Sequence, residues 1–414
     1  MKKLLRYTAS IAIFSMIALS SPSFAGSFLN KQVRIGVIPQ ANEVVVSTSA
    51  FGAIYLHNNG DSNKILDLPP KSYCLISNKK GTLEIKVNNK SVLIPKGKIV
   101  VKNLETKNGY SPLVFGGEKW FRGEVEVFSG KKSKSYLTVV NRLPLEEYLY
   151  GVVPSEMPAS WPVEALKTQA VAARTYVLSN LGQYESEGFD VLSTTASQVY
   201  GGVEDETPSG NQAVNETRGK VVTYASKLIT AYYCSSAGGL TESGADAWGR
   251  EIPYLKPVKD FDQDSPRYVW YKTLTNEVLQ NVLKKEFGQN VGQIINISIN
   301  GTTESGRTKN LKFEGTLGQI EIDAKRFRIA SKLSSTLIKK IEATEPGTFV
   351  EEGKSIPTMF LFTGQGFGHG AGMSQWGARA LAKSGKSFED IIKHYYQGTQ
   401  IVNAEDIMSL PPKP

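Results

Sequence analysis

Apolar and polar positions alternate through much of residues 26–115, which is the period of half-buried strands. Val33-Arg34-Ile35-Gly36-Val37 and Leu83-Glu84-Ile85-Lys86-Val87 place an apolar side chain at every second position. Asn58-Asn59-Gly60-Asp61, Lys79-Lys80-Gly81 and Pro69-Pro70 interrupt such runs and predict turns. A further strand pair is predicted over residues 123–128 and 135–140, leading into Asn141-Arg142-Leu143-Pro144.

The period then changes. Val163, Leu166, Ala170, Ala173 and Val177 fall on one face at helical spacing, and Pro162 suits a first helical turn. A helix is predicted to about Asn180, with Glu164 near the positive end of its dipole. Arg174 lies on or beside the apolar stripe, so it needs an acidic partner or a cleft. Beyond residue 186 the pattern is mixed. Paired strands are predicted at 221–224 and 229–233, a helix at 277–287 and a strand at 294–300. The end carries a short strand at 359–362 and a glycine loop at 364–372. A helix capped by Ser374 then runs to about Lys383 and is ended by Gly385; a second, capped by Ser387, holds His394. This order of elements predicts an α+β protein, with a β-rich N-terminal region ahead of a mixed α/β region.

Residues 1–25 read as an export signal rather than as part of the fold. Lys2, Lys3 and Arg6 form a basic start, the apolar run from Ile11 to Leu19 is too short to span a bilayer, and Ser23-Phe24-Ala25 is a small-x-small cleavage site. The chain is therefore expected in the periplasm or on the cell-wall side of the membrane, with no integral membrane segment once the signal is removed. The remaining length, about 390 residues, favours two domains over one core. Net charge is +9 and falls to +6 without the three basic residues of the signal. The surplus is spread along the chain, so no nucleic-acid partner is expected. An acidic envelope polymer would suit that surplus, and solubility alone explains it equally well.

Two cysteines, Cys74 and Cys234, do not make a disulfide framework, although export would permit one bridge. His57, His369 and His394 are the only histidines, and no metal-ligand spacing occurs. Neither a metal nor another cofactor is expected. The run from Gly364 to Gly372, with Asp390 beyond it, superficially matches a dinucleotide-binding loop. The chain ends too soon after it for the parallel strands such a fold requires. The alternative is that the glycines let backbone approach a ligand and present His369. Cys234 with His369 would make a thiol nucleophile and base, but a free cysteine is more often a small buried apolar residue. Glu156 lies between Pro154 and Pro158, in a segment not expected to be helical throughout. With Val153, Met157 and Trp161 nearby it is a candidate desolvated acid, because desolvation keeps a carboxyl protonated. Read alone, a surface glutamate beside a helix is the simpler reading.

Two long runs add a resemblance. Leu143-Pro144-Leu145-Glu146-Glu147-Tyr148-Leu149-Tyr150-Gly151-Val152-Val153-Pro154-Ser155-Glu156-Met157-Pro158 is followed by Trp161-Pro162 and by Gln169-Ala170-Val171-Ala172-Ala173-Arg174-Thr175-Tyr176. Gly366-Phe367-Gly368-His369-Gly370-Ala371-Gly372-Met373-Ser374-Gln375-Trp376-Gly377-Ala378 is followed by His394-Tyr395-Tyr396 and Gly398. Both resemble the SpoIID/LytB family (stage II sporulation protein D), over roughly Trp120 to Ile401. The resemblance implies a catalytic domain at 116–402; with the export signal at 1–25 and the β-rich region at 26–115 read from the residues themselves, this leaves a tail at 403–414. It implies either a lytic transglycosylase that cuts peptidoglycan glycan strands, preferably stripped of stem peptides, or a protein that enhances a cell-wall amidase. By resemblance Glu156 is the catalytic acid/base and Arg174 shares its cleft. Gln198 and Tyr200 keep the family pattern and are expected to line the glycan groove. His369, Ser374, Gln375 and Tyr268 are further substrate-binding candidates, with Trp270 as a second aromatic one. Some members bind zinc through Cys and His near the stretch that here reads Ser193-Thr194-Thr195-Ala196-Ser197-Gln198-Val199-Tyr200. Those ligand types are missing from this stretch, so zinc is not expected.

Overall fold

The computed structural model describes residues 31–58, 60–87, 90–104, 112–344, 346–351 and 354–408; the expected export signal lies outside them, as does the tail beyond 408. The strand alternation becomes two sheets. In Gln32–Ala41, Val33 and Ile35 are buried, while Arg34 between them is half-buried and pairs with Asp190 at 2.8 Å. This strand runs antiparallel to Leu137–Pro144, with Ile35 opposite Asn141. They belong to a seven-stranded sheet ordered Val191–Leu192, Gln32–Ala41, Leu137–Pro144, Glu124–Ser129, Lys98–Asn103, Gly52–Asn58, Asp61–Leu68. The second sheet has six strands, ordered Lys119–Phe121, Val114–Gly116, Glu43–Thr48, Cys74–Lys79, Thr82–Val87, Lys90–Ile94. Strands from both sides of residue 115 therefore share each sheet, and one apolar core takes in the buried faces of both.

Helices pack onto this core. α1 (Leu145–Glu156) buries Leu145, Tyr148, Leu149, Val152 and Val153, and α2 (Val163–Ser179) buries Leu166, Ala170, Ala173 and Val177. α3 (Pro208–Glu216) packs against both. α4 (Gly244–Trp248) follows, and a second core then forms around Trp270, Phe313, Phe327 and Phe362. It is built from a three-stranded sheet (Ile294–Thr302, Thr308–Gly315, Gly318–Asp323), the strands Val269–Thr275, Met359–Gln365 and Ile338–Ala343, and helices α5 (Asn276–Phe287) and α6 (Ala324–Ser331). α7 (Gln375–Lys383) and α8 (Phe388–Tyr395) return to the first core. The expected caps are present: Ser374 accepts from Gly377 N, and Ser387 forms a capping box with Asp390. The α+β class is as the sequence implies.

The segment from Pro154 to Pro158 is, as expected, not helical throughout: α1 continues through Pro154 and ends on Glu156, and Met157 is extended. Pro154 lies in the last turn, so its missing amide hydrogen costs a single bond while the buried face holds the helix. The second strand, predicted at 229–233, is not formed over 229–232, and Tyr233 begins the short strand Tyr233–Cys234. Lys220–Tyr224 pairs instead with Lys227–Leu228 and with Gln400–Asn403.

The acidic partner that Arg174 requires is Glu146. Arg174 Nε and Nη2 donate to the two Glu146 carboxylate oxygens at 2.8 Å each. Nη1 and Nη2 also reach Lys220 O at 3.2 Å and Val214 O at 3.3 Å. The pair is buried and ties α1, α2 and the end of α3 together. Removing one partner strands a charge in a dry interior. Glu146→Gln is expected to cost about 3–5 kcal/mol of unfolding free energy in a urea titration followed by circular dichroism. A loss below about 1 kcal/mol would show that the pair is not what holds these helices together.

Candidate active site

Glu156 sits where four parts of the chain meet. Its Oε1 accepts Val199 N at 2.8 Å and Tyr233 Oη at 3.1 Å, and its Oε2 accepts Gln375 Nε2 at 3.1 Å. α1 supplies the carboxylate, the 193–200 segment a backbone amide, the strand Tyr233–Cys234 a phenol and the start of α7 an amide side chain. All three donors are neutral, and among the described residues no Lys or Arg forms an ion pair with Glu156. Burial pushes the Glu156 carboxyl above its ordinary range, and the three hydrogen bonds offset only part of this. Such a carboxyl holds its proton at higher pH than an exposed one and can give it to a bound group.

A second layer fixes the donors. Gln198 Nε2 donates to Tyr233 Oη at 3.2 Å and to Ala173 O at 3.3 Å, and its Oε1 accepts Tyr148 Oη at 3.3 Å. Gln375 Nε2 also reaches Gln169 Oε1 at 3.4 Å. Of the expected site residues, the structure thus brings Glu156, Gln375 and Gln198 into one network, with Gln198 buried behind the donors.

The others lie elsewhere. Arg174 spends its guanidinium on Glu146 and makes no hydrogen bond to Glu156, so it is a buried clamp between helices. Tyr200 is core: its ring packs against Tyr148 and Phe121, and its hydroxyl donates to Asn141 at 2.8 Å. Ser374 is buried and caps α7. Tyr268 is half-buried, and its carbonyl accepts Gly366 N at 2.9 Å at the start of the glycine loop. Trp270 is in the second core, with its indole N–H on Ser335 at 3.1 Å.

The glycine loop has a structural explanation. Gly366, Gly368, Gly370 and Gly372 all have positive φ. A Cβ on Gly370 would lie 2.0 Å from Arg307 Nη2, and one on Gly372 would lie 2.0 Å from Tyr232 O. The glycines admit neighbouring parts of this chain. His369 Nδ1 accepts Ala371 N at 3.1 Å, and burial, with Arg328 and Arg307 nearby, pushes its pKa down to about 4. Cys74 and Cys234 are both free and buried. Burial pushes the Cys234 thiol up to about 12, which leaves almost no thiolate near neutrality.

Tyr233, Gln169 and an aromatic pair escape a reading of spacing alone. Trp161 and Trp376 meet edge to face at 4.9 Å, and Arg379 lies over Trp376 at 4.9 Å. Trp376 adjoins Gln375, so this half-buried pair stands beside the Glu156 network. The adjacency of Trp376 to Gln375 and of Trp161 to the Glu156 segment was visible in the sequence, but their contact was not.

The family described as stage II sporulation protein matches residues 133–224, and one described as a domain of unknown function matches residues 245–372. The chain is 35% identical to the stage II sporulation protein D of Bacillus subtilis (strain 168), over 65% of this chain and 78% of that protein. It is 34% identical to a protein of the same strain named amidase enhancer, over 62% of this chain but 40% of that protein. An uncharacterized protein of Brachyspira hyodysenteriae is 35% identical over 64% of this chain and 69% of its own.

A raised carboxyl pKa has a signature in stability. The ionised form is disfavoured by folding, so the Glu156 contribution is full below its ordinary value of 4.5 and is lost as pH rises through the raised value. The drop in Tm from pH 4 to pH 8 is expected to be smaller in Glu156→Gln than in the unaltered chain. Tyr233→Phe removes a donor to the ionised form and should move the loss to higher pH. Equal drops in all three proteins would contradict the raised pKa.

Proposed function

The chain belongs to the stage II sporulation protein D family, and on that premise we propose that it is an exported lytic transglycosylase cutting peptidoglycan glycan strands, with Glu156 as its single acid/base. The observation that carries this reading is the Glu156 carboxyl itself: partly withdrawn from water, held by three neutral donors and free of any cationic partner among the described residues.

In this reading protonated Glu156 gives its proton to the oxygen that joins N-acetylmuramic acid to N-acetylglucosamine. The bond from the muramic anomeric carbon to that oxygen breaks. The 6-hydroxyl of the same muramic acid closes onto the anomeric carbon, and its proton returns to Glu156. The products are a free N-acetylglucosamine end and a 1,6-anhydro end, and no water is consumed. One carboxylate serves first as acid and then as base. A hydrolase would normally need a second carboxylate for water or a covalent intermediate. The network of Tyr148, Gln169, Gln198, Tyr233 and Gln375 holds one carboxylate, which fits the single-acid scheme. Trp161 and Trp376 offer the flat apolar surface that sugar rings pack against.

The relative named amidase enhancer favours a second reading, in which the chain binds wall glycan and assists an N-acetylmuramoyl-L-alanine amidase without cutting. Peptide-free glycan separates the two. Mass spectrometry of glycan incubated with the purified chain is expected to find 1,6-anhydro-ended fragments, reduced about a hundredfold or more by Glu156→Gln. Undiminished product from Glu156→Gln would remove the catalytic assignment. No product from the unaltered chain, together with faster release of stem peptides by an added amidase, would establish the second reading.

A further inference from the structure

A cleft of about 450 Å³ opens between the glycine loop, α4, α6 and the strand Thr308–Gly315. It is distinct from the hydrogen bonds that hold Glu156. Arg307 reaches into its wall and is 2% exposed. Its Nη2 donates to Ala237 O, but Nε and Nη1 have no hydrogen-bond partner. The nearest acid is Glu242, whose Oε2 is 3.8 Å from Nε, beyond hydrogen-bond reach. Glu242 is already occupied: Thr303 Oγ1 at 2.7 Å, Ser305 Oγ at 2.8 Å and Ser243 N at 2.9 Å donate to it. Thr308 Oγ1, also on the cleft, is buried without a partner. Buried guanidinium nitrogens left unmet are costly, so a site that keeps them is arranged for something that meets them. Gly370 crosses this guanidinium so closely that a Cβ would strike it, so the loop conformation and the arginine are fitted to each other.

The charge lining the cleft limits what that something is. Lys309, Lys325 and Arg328 bring its cations to four, against the three carboxylates of Glu242, Asp246 and Asp323. Asp262 and Asp260 also act on Arg307, from outside that lining. His369, with its low pKa, adds no charge near neutrality. The lining itself keeps a surplus of one positive charge, which suits an anion. One wall is flat and apolar: Trp248 is stacked on Tyr232 with centroids 4.1 Å apart and is tilted against His369 at 5.3 Å. An aromatic face beside an unmet guanidinium is the chemistry that recognises a sugar bearing a carboxylate.

We propose that this cleft binds the carboxylate of an acidic sugar through Arg307, with the sugar ring against Trp248. The identity of that sugar rests on the reading of the chain as a peptidoglycan enzyme: a muramic acid freed of its stem peptide carries such a carboxylate on its lactyl group. The cleft and Glu156 lie on either side of one short segment. Tyr233 gives its hydroxyl to Glu156 and a backbone contact to His369, while its neighbour Tyr232 stacks on Trp248. The four cations of the cleft all fall within the 245–372 span that matches a domain of unknown function, and the proposal gives that span a binding role.

Isothermal titration of the full chain with N-acetylmuramic acid, N-acetylglucosamine and inorganic phosphate tests this. N-acetylmuramic acid is expected to bind roughly tenfold or more tighter than N-acetylglucosamine, which has the same ring without the carboxylate. Arg307→Gln should remove that preference. Should Arg307→Gln fail to fold, Lys309→Glu at the exposed rim decides alone, and it should weaken N-acetylmuramic acid by about threefold or more while leaving N-acetylglucosamine unchanged. Equal binding of the two sugars, or a preference untouched by both variants, overturns the site. Phosphate binding tighter than N-acetylmuramic acid overturns the carboxylate assignment. A carboxylate preference in a chain that cuts no glycan would sink the transglycosylase reading and leave this site standing; cutting without the preference would sink this site alone.

Discussion

Glu146 and Arg174 meet through two 2.8 Å hydrogen bonds inside the protein, and the pair fixes how α1 lies against α2. The guanidinium also reaches backbone carbonyls at Val214 and Lys220, so the end of α3 and the strand after it are registered to the same point. Glu156 is the last residue of α1, ten positions beyond Glu146 on a single rigid rod. Its position against Val199, Tyr233 and Gln375 therefore follows from where that rod is anchored. An arginine at 174 acts on Glu156 only through this frame, and a lysine there could not make the same planar two-point contact.

The frame delivers a carboxyl into an environment of neutral dipoles. A cation beside Glu156 would hold it ionised, and full exposure would leave it an ordinary acid. The structure does neither. Tyr233 and Gln375 are oriented by Gln198 and Gln169, so the donors are set before any ligand arrives. Burial pushes the Tyr233 phenol pKa well above its ordinary value, and the facing Glu156 carboxylate adds to this, so the phenol stays a donor. Burial of Glu156 and hydrogen bonding to it oppose each other, and burial is the larger effect.

The parts of this arrangement that are local were legible in the sequence. The alternation at Val33 and Ile35, the stripe from Leu166 to Val177 and the caps at Ser374 and Ser387 each have a period or a spacing that physics reads directly, although Val163, expected on the same stripe, is exposed. α1 was hidden although Leu145, Tyr148, Leu149 and Val152 keep helical spacing, because Pro154 and Pro158 argue locally against a helix. Burial of that face outweighed one missing hydrogen bond. The site itself is non-local. Tyr233 and Gln375 stand 77 and 219 residues from Glu156 in the chain, and no spacing rule connects such positions. The resemblance supplied Glu156, Gln198 and Gln375 as candidates but also put Arg174 in the cleft, where the structure shows a buried ion pair. Glycine density at 364–372 pointed to a ligand, whereas the close approaches are to Arg307 and Tyr232.

Those close approaches connect the two ends of the molecule's chemistry. The loop packs its backbone on Arg307 at Gly370 and on the Tyr232 carbonyl at Gly372, and three residues later it supplies Gln375 to Glu156. Strand Met373–Ser374 runs parallel to Tyr233–Cys234, so the two donors Tyr233 and Gln375 are carried by paired backbone. Arg307 forms part of the cleft wall, with its Nε and Nη1 buried and without hydrogen-bond partners. The backbone that closes over Arg307 at Gly370 is thus continuous with the backbone that carries Gln375 to Glu156, so the packing of the glycine loop and the placing of the acid's donors are one structural requirement.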